Sequence, residues 1–158
     1  MRPLPLAVAA AAAITACGPR PVPPLTMDDF TLRGVPVESD STELRLTFGE
    51  PDSITTSPNP FPDDAPLTTW HYDAFEIRFA GGDGPAGYLL HAPGERSARG
   101  IGVGDPAPLA LRAYGQPDAQ YVPSWTWIDD SDPAALRVID VVVESDTVRR
   151  VYIGRVVD

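Results

Sequence analysis

The phrase FGEPDS at 48–53 returns as YGQPDA at 114–119, and this recurrence constrains the fold more than any other feature of the 158-residue chain. Sliding the chain by 66 residues sets 33–52 on 99–118 without gaps. Arg33, Gly34, Val37, Gly49, Pro51 and Asp52 meet identical residues, so six of twenty positions agree. Four of the six are glycine, proline or the aspartate after it, residues that dictate backbone conformation. A second block sets 75–91 on 139–155 at an offset of 64, with Phe75, Ile77 and Phe79 on Ile139, Val141 and Val143, and Tyr88 on Tyr152. Between the blocks, Trp70 and Tyr72 match Trp125 and Trp127 at an offset of 55, and the length differences fall in loops, as in repeated units.

Each copy reads as the same local structure. Ser39 or Asp40 caps a short helix with Leu44 and Phe48 on one face, Gly49 takes a left-handed position at its end, and Pro51 prevents continuation. In the second copy Asp105 is the cap, Pro106 the first helical residue, Ala110 and Tyr114 share a face, and Gly115 and Pro117 end the helix. Strands follow, with FEIRF at 75–79 alternating apolar and charged, and GGDG at 81–84 and SDT at 145–147 as turns. The sequence therefore predicts an α+β fold of two tandem copies, 31–94 and 95–158, each a short helical element packed on an antiparallel β meander. Side by side, the copies would form one continuous sheet.

Residues 1–16 carry one basic residue, Arg2, then an apolar run from Leu4 to Ile14, and read as an export signal. The run is about eleven residues, where a spanning helix needs roughly twenty. ITAC at 14–17 resembles a bacterial lipobox, which implies acylation of Cys17 as the first mature residue; a plain secretory signal with an incidental cysteine is the alternative. Palmitate-type acyl chains on Cys17 would anchor the protein stably. Gly18, in place of an inner-membrane retention aspartate, points to the outer membrane facing the periplasm. Residues 17–30, with four prolines between 18 and 27, form an extended tether.

The chain has no lysine and a formal charge of −10, which excludes the basic footprint that nucleic acid requires. His71 and His91 lie in predicted strands with no nucleophile or orienting acid supplied by a local motif, and read as structural or surface residues. Asp130 and Asp132 alternate as calcium ligands do, but the loop lacks the glycine and distal glutamate of a calcium site and reads as solvated, as do Asp63 and Asp64. No metal, cofactor or catalytic residue is expected. The aromatics are the binding candidates: Trp70, Tyr72, Trp125 and Trp127 recur at equivalent places, and Tyr121 and Phe61 precede them. Core packing is the simpler reading of the matched tryptophans, and display on an outer sheet face is the other.

The segments GVPVESDSTELRLTFGEPD at 34–52 and GIGVGDPAPLALRAYGQPD at 100–118, each followed by an aromatic strand pair, resemble the repeat of the β-lactamase-inhibitor-like fold and of SmpA/OmlA-type outer-membrane assembly lipoproteins. The tandem arrangement is similar to the inhibitor and the lipobox to the assembly factor. The resemblance implies a non-enzymatic, lipid-anchored envelope protein that interacts with another envelope protein. The alternative it implies is a binder or inhibitor of a secreted or periplasmic hydrolase.

Overall fold

A computed structural model describes residues 21–58, 66–81 and 85–156. A 3-10 turn (Met27–Phe30) and two short strands, β1 (Thr31–Leu32) and β2 (Val35–Pro36), lead into α1 (Ser41–Phe48). Four strands follow: β3 (Ser53–Ser57), β4 (Leu67–His71), β5 (Phe75–Ala80) and β6 (Gly87–Leu90). After α2 (Ala107–Tyr114) come β7 (Ala119–Tyr121), β8 (Ser124–Asp129), β9 (Arg137–Glu144) and β10 (Thr147–Arg155). Strands β3 to β10 form one eight-stranded antiparallel sheet in the order β3-β4-β5-β6-β10-β9-β8-β7.

This architecture overturns the expected α+β class. Strand accounts for 41% and helix for 16%, and the two α-helices, of eight residues each, bury narrow stripes and form no layer of their own. The physical reason is that helices this short cannot cover a sheet of eight strands, whose middle is the pairing of β6 with β10, from Leu90 opposite Val151 to Gly87 opposite Gly154. That ladder closes the sheet across its middle, so neither half has a separate sheet or core. The protein is mainly β, built on one large sheet, and not two helix-and-meander units.

Local chemistry explains the helix ends. The Asp40 carboxylate accepts from the N–H groups of Thr42 (2.8 Å) and Glu43 (2.9 Å), filling two of the orphan donors of α1. Asp105 does not do the same for α2. Its carboxylate turns back to the Gly102 N–H at 2.9 Å and to Arg96 at 2.8 and 3.1 Å. At the other end Gly49 and Gly115 have φ of +82° and +83° with ψ of −170° and −159°. This is an almost glycine-only region distinct from the left-handed helical conformation expected, and it sends the chain straight out of the helix toward the sheet.

The core lies between the helices and one sheet face. Its central row crosses six strands in register: Trp70, Ile77, Tyr88, Ile153, Ile139 and Trp127. None is more than 6% exposed. Leu44 of α1, Ala110 and Tyr114 of α2, and Phe30, Leu32, Val35 and Val37 of the N-terminal turn and hairpin pack onto this row. Tyr88 pairs with Ile153 and faces the core, which puts Tyr152 on the opposite face. The 64-residue offset that matched Tyr88 to Tyr152 is therefore one residue out of register here, and such a slip exchanges the faces of a strand.

Two arginines tie the helices to neighbouring segments. Arg33 lies 5.7 Å over the Phe48 ring and pairs with Glu95; Arg99 lies 5.4 Å over Tyr114 and pairs with Asp29. Arg99 donates to Asp29 at 2.6 and 2.7 Å and to the carbonyls of Pro23, Pro24 and Ala113, so one guanidinium fixes the N-terminal segment on α2. Burial works against the Asp29 carboxylate, but Arg99 and the Thr26 N–H outweigh it and hold this carboxyl below its ordinary range.

Candidate binding surfaces

Because alternate residues of a strand face opposite ways, the row His71, Glu76, Leu89, Tyr152, Asp140 and Thr126 runs across the sheet on the face away from the core. Among the described residues no helix packs on it. At its centre Gly87 and Gly154 stand opposite each other, and a Cβ on either would approach backbone to 2.7 and 2.4 Å. Two missing side chains dish the sheet, and the Tyr152 ring lies across the gap, its hydroxyl donating to the carbonyls of Ala86 (3.2 Å) or Arg155 (3.0 Å). Burial raises the Tyr152 phenol pKa, with Arg78 and Arg155 acting in the opposite sense.

The dish opens into a cavity of about 550 Å³ walled by Leu67, Thr69, Arg78, Val138, Tyr152 and Arg155, among others. Cavities of about 320 and 310 Å³ adjoin it, sharing Arg155 and Val156 on one side and Arg78 and Tyr152 on the other. Six of the ten arginines among the described residues face a carboxylate: Arg33, Arg45, Arg78, Arg96, Arg99 and Arg137. Arg155 meets no carboxylate among the described residues; one of its Nη2 hydrogens goes to the Pro85 carbonyl at 3.2 Å, and its buried Nε has no acceptor among them.

The aromatic candidates separate. Trp70 and Trp127, 6% and 3% exposed, lie in the core where a partner has no access. Tyr72 stacks on Phe75 at 4.6 Å and donates to the Gly49 carbonyl at 3.1 Å, and Trp125 is half-buried against the core. Tyr121 alone stands out, 75% exposed, at the end of β7. It pairs with Ser124 across a turn made of Val122 and Pro123, and Val122 is 99% exposed. The Pro123 carbonyl accepts from the Val143 N–H at 2.9 Å, which ties this apolar tip to β9. The exposure of Val122 was not foreseen, since a valine at a hairpin turn carries no sequence signal of its own. Cys17 and Phe61 lie outside the described residues, as do Asp63 and Asp64.

The structure brings two groups to His71 that no local motif indicated. Thr55 Oγ1 is 2.8 Å from Nε2, and Glu76 Oε1 is 3.4 Å from Nδ1. The order is hydroxyl, imidazole, carboxylate, but the second contact is longer than a hydrogen bond and Glu76 Oε2 already accepts from Arg78 at 2.9 Å. Its evident effect is to lace β3 to β4 and β5. His91 is exposed at the end of β6. Asp132 accepts from the Ala134 N–H at 3.0 Å, Asp130 is exposed, and among the described residues no three His, Cys, Asp or Glu side chains are grouped to hold a metal.

No protein family, curated protein or solved structure matches the chain.

Proposed function

We propose that the protein is a non-enzymatic interaction or assembly module of the cell envelope, anchored by lipid on Cys17 at the outer membrane and facing the periplasm, and that it engages a protein partner through Tyr121 and Val122. The observation that carries this reading is the β7–β8 tip. Two large side chains stand in water at a turn whose backbone is held by β9, so the contact surface is preorganised and little entropy is lost when it docks. Tyrosine in such a position is a residue type that dominates interface energetics. A photo-crosslinking residue at 121 in the full acylated chain yields a discrete adduct with an envelope protein, whereas one at exposed Gln116 does not; equal or absent adducts remove the proposal. The anchor is checked separately, by labelling with a palmitate analogue in wild type and Cys17→Ala, where equal incorporation eliminates it.

The same tip favours a second reading, binding to a secreted hydrolase, because a rigid convex tip is complementary to a concave cleft. Inhibition across a panel of periplasmic hydrolases at micromolar protein, lost in Tyr121→Ala, distinguishes it; no inhibition removes it.

A further inference from the structure

The dish on the sheet's outer face is a second feature, remote in character from the apolar tip. In a chain with a formal charge of −10, the cavity of about 550 Å³ is lined by two arginines and, among the described residues, by no carboxylate. The Arg78 charge is matched by Glu76 through Nε (3.2 Å) and Nη2 (2.9 Å). Among the described residues Arg155 has no such match, and its buried Nε lacks an acceptor. A buried donor left without an acceptor calls for a missing partner. The remaining wall is in part apolar, from Leu67, Ala80, Ala86, Val138 and Val156 with the Tyr152 ring, and in part carries the hydroxyl residues Ser57, Thr68 and Thr69.

We infer that this cavity is a binding site for a small amphipathic monoanion, a carboxylate on an apolar body, with the carboxylate on the Arg155 guanidinium and the body along Leu67, Val138 and Tyr152. One guanidinium of the wall without a carboxylate among the described residues sets the ligand charge at one. The planar fork of arginine suits a carboxylate, and charge-assisted hydrogen bonds of this kind are about twice as strong as neutral ones. A cavity of about 550 Å³ is in the range that encloses small ligands. Gly87 and Gly154 seat the Tyr152 ring that forms part of the wall, since a Cβ on either would lie within 2.7 Å of that side chain.

The test uses the full chain with Cys17→Ala, purified without detergent, and decanoate as probe, with decanol and acetate as body-only and head-only controls. Decanoate binds one to one in calorimetry, at least tenfold tighter than either control, and shifts the methyl resonances of Leu67 and Val138. Arg155→Met weakens it at least tenfold, and Thr69→Trp, which fills the cavity and keeps the guanidinium, does the same. Equal affinity for decanol, unchanged affinity in a folded Thr69→Trp, or resonance shifts confined to other surfaces would overturn the assignment. Tyr121→Ala leaves decanoate affinity unchanged, so this site and the proposed protein contact succeed or fail independently.

Discussion

The Trp127 indole Nε1–H donates to the Gly115 carbonyl at 3.2 Å. On the other half of the sheet the Tyr72 hydroxyl donates to the Gly49 carbonyl at 3.1 Å. Gly49 and Gly115 are the glycines of the recurring phrase, and Tyr72 and Trp127 are the second members of the two aromatic strand pairs. In both places the chain leaves a helix through a glycine and offers the glycine carbonyl to the strand pair that follows. Gly34 and Gly100, also matched at 66 residues, have φ of +80° and +81°. The same residue types therefore adopt the same backbone and make the same contacts on both sides of the β6–β10 pair.

Gly49→Ala and Gly115→Ala should accordingly destabilise the protein by similar amounts. Neither position is crowded by backbone, so the cost is conformational and falls at about 1–3 kcal/mol for a non-glycine residue in this region. Urea unfolding of each variant, with unchanged denaturant dependence, checks it. A difference above about 1.5 kcal/mol between the two would show that the helix ends are not energetically equivalent.

The Asp29–Arg99 pair predicts an acid limit. The folded-state pKa values of Asp29, Asp105 and Asp129 lie below the ordinary carboxyl range: burial pushes each up, but Arg99, Arg96, Arg137 and nearby N–H donors prevail. The unfolded chain thus binds more protons, so the stabilisation is fully present above about pH 4 and drains away as pH falls through the folded values. Stability should be flat from these groups between pH 5 and 8 and fall steeply below pH 4. Asp29→Asn leaves Arg99 only its carbonyl acceptors, costs about 1.5–3 kcal/mol near neutral pH as the loss of a charged hydrogen-bonded pair, and shallows the acid slope in thermal melts. An unchanged slope would remove Asp29 from this account.

The tip at Tyr121 and Val122 separates binding from folding. Both side chains are exposed, so Tyr121→Ala and Val122→Ser should each change unfolding free energy by within about 0.5 kcal/mol. If the tip is the partner contact, Tyr121→Ala weakens capture of the crosslinked envelope partner by a factor of about 30, the equivalent of 2 kcal/mol at a hot spot. Loss of stability matching the loss of binding would instead make Tyr121 a structural residue.

Much of the local structure was legible because it rests on backbone chemistry that few residues supply. Asp40 as a cap, Leu44 and Tyr114 as buried faces, and Gly49 and Gly115 as exits all follow from single-residue preferences. The fold class was not legible, because it turns on proportion: α1 buries only Leu44 and α2 only Ala107, Ala110 and Tyr114, while eight strands supply the sheet-facing core. The face of Tyr152 was misplaced for a different reason. A register irregularity between Val148 and Arg150 shifts the alternation of β10 by one residue, and no residue there announces a bulge. The outer-face cavity was invisible in sequence, since its wall combines Leu67, Arg78, Val138 and Arg155 from four strands that meet only through the paired sheet.

The pairing of Gly87 with Gly154 yields the sharpest steric prediction. A Cβ on Gly154 would sit 2.4 Å from the Ala86 carbonyl oxygen and 2.7 Å from the Gly87 Cα, both backbone atoms that cannot move without opening the β6–β10 ladder. At Gly104, by contrast, a Cβ meets nothing within 4 Å, although its φ of +94° strains any side chain. Gly154→Ala should therefore exceed the conformational cost of Gly104→Ala, reaching about 3 kcal/mol or more as overpacking at the middle of the sheet. Amide exchange gives a readout that a uniform loss of stability would not. In Gly154→Ala, protection should fall first at Leu89, Leu90, Val151 and Ile153 on either side of the junction, while β8 and β9 retain theirs. Protection lost equally across all eight strands would mean that the central ladder is no weaker a seam than its neighbours.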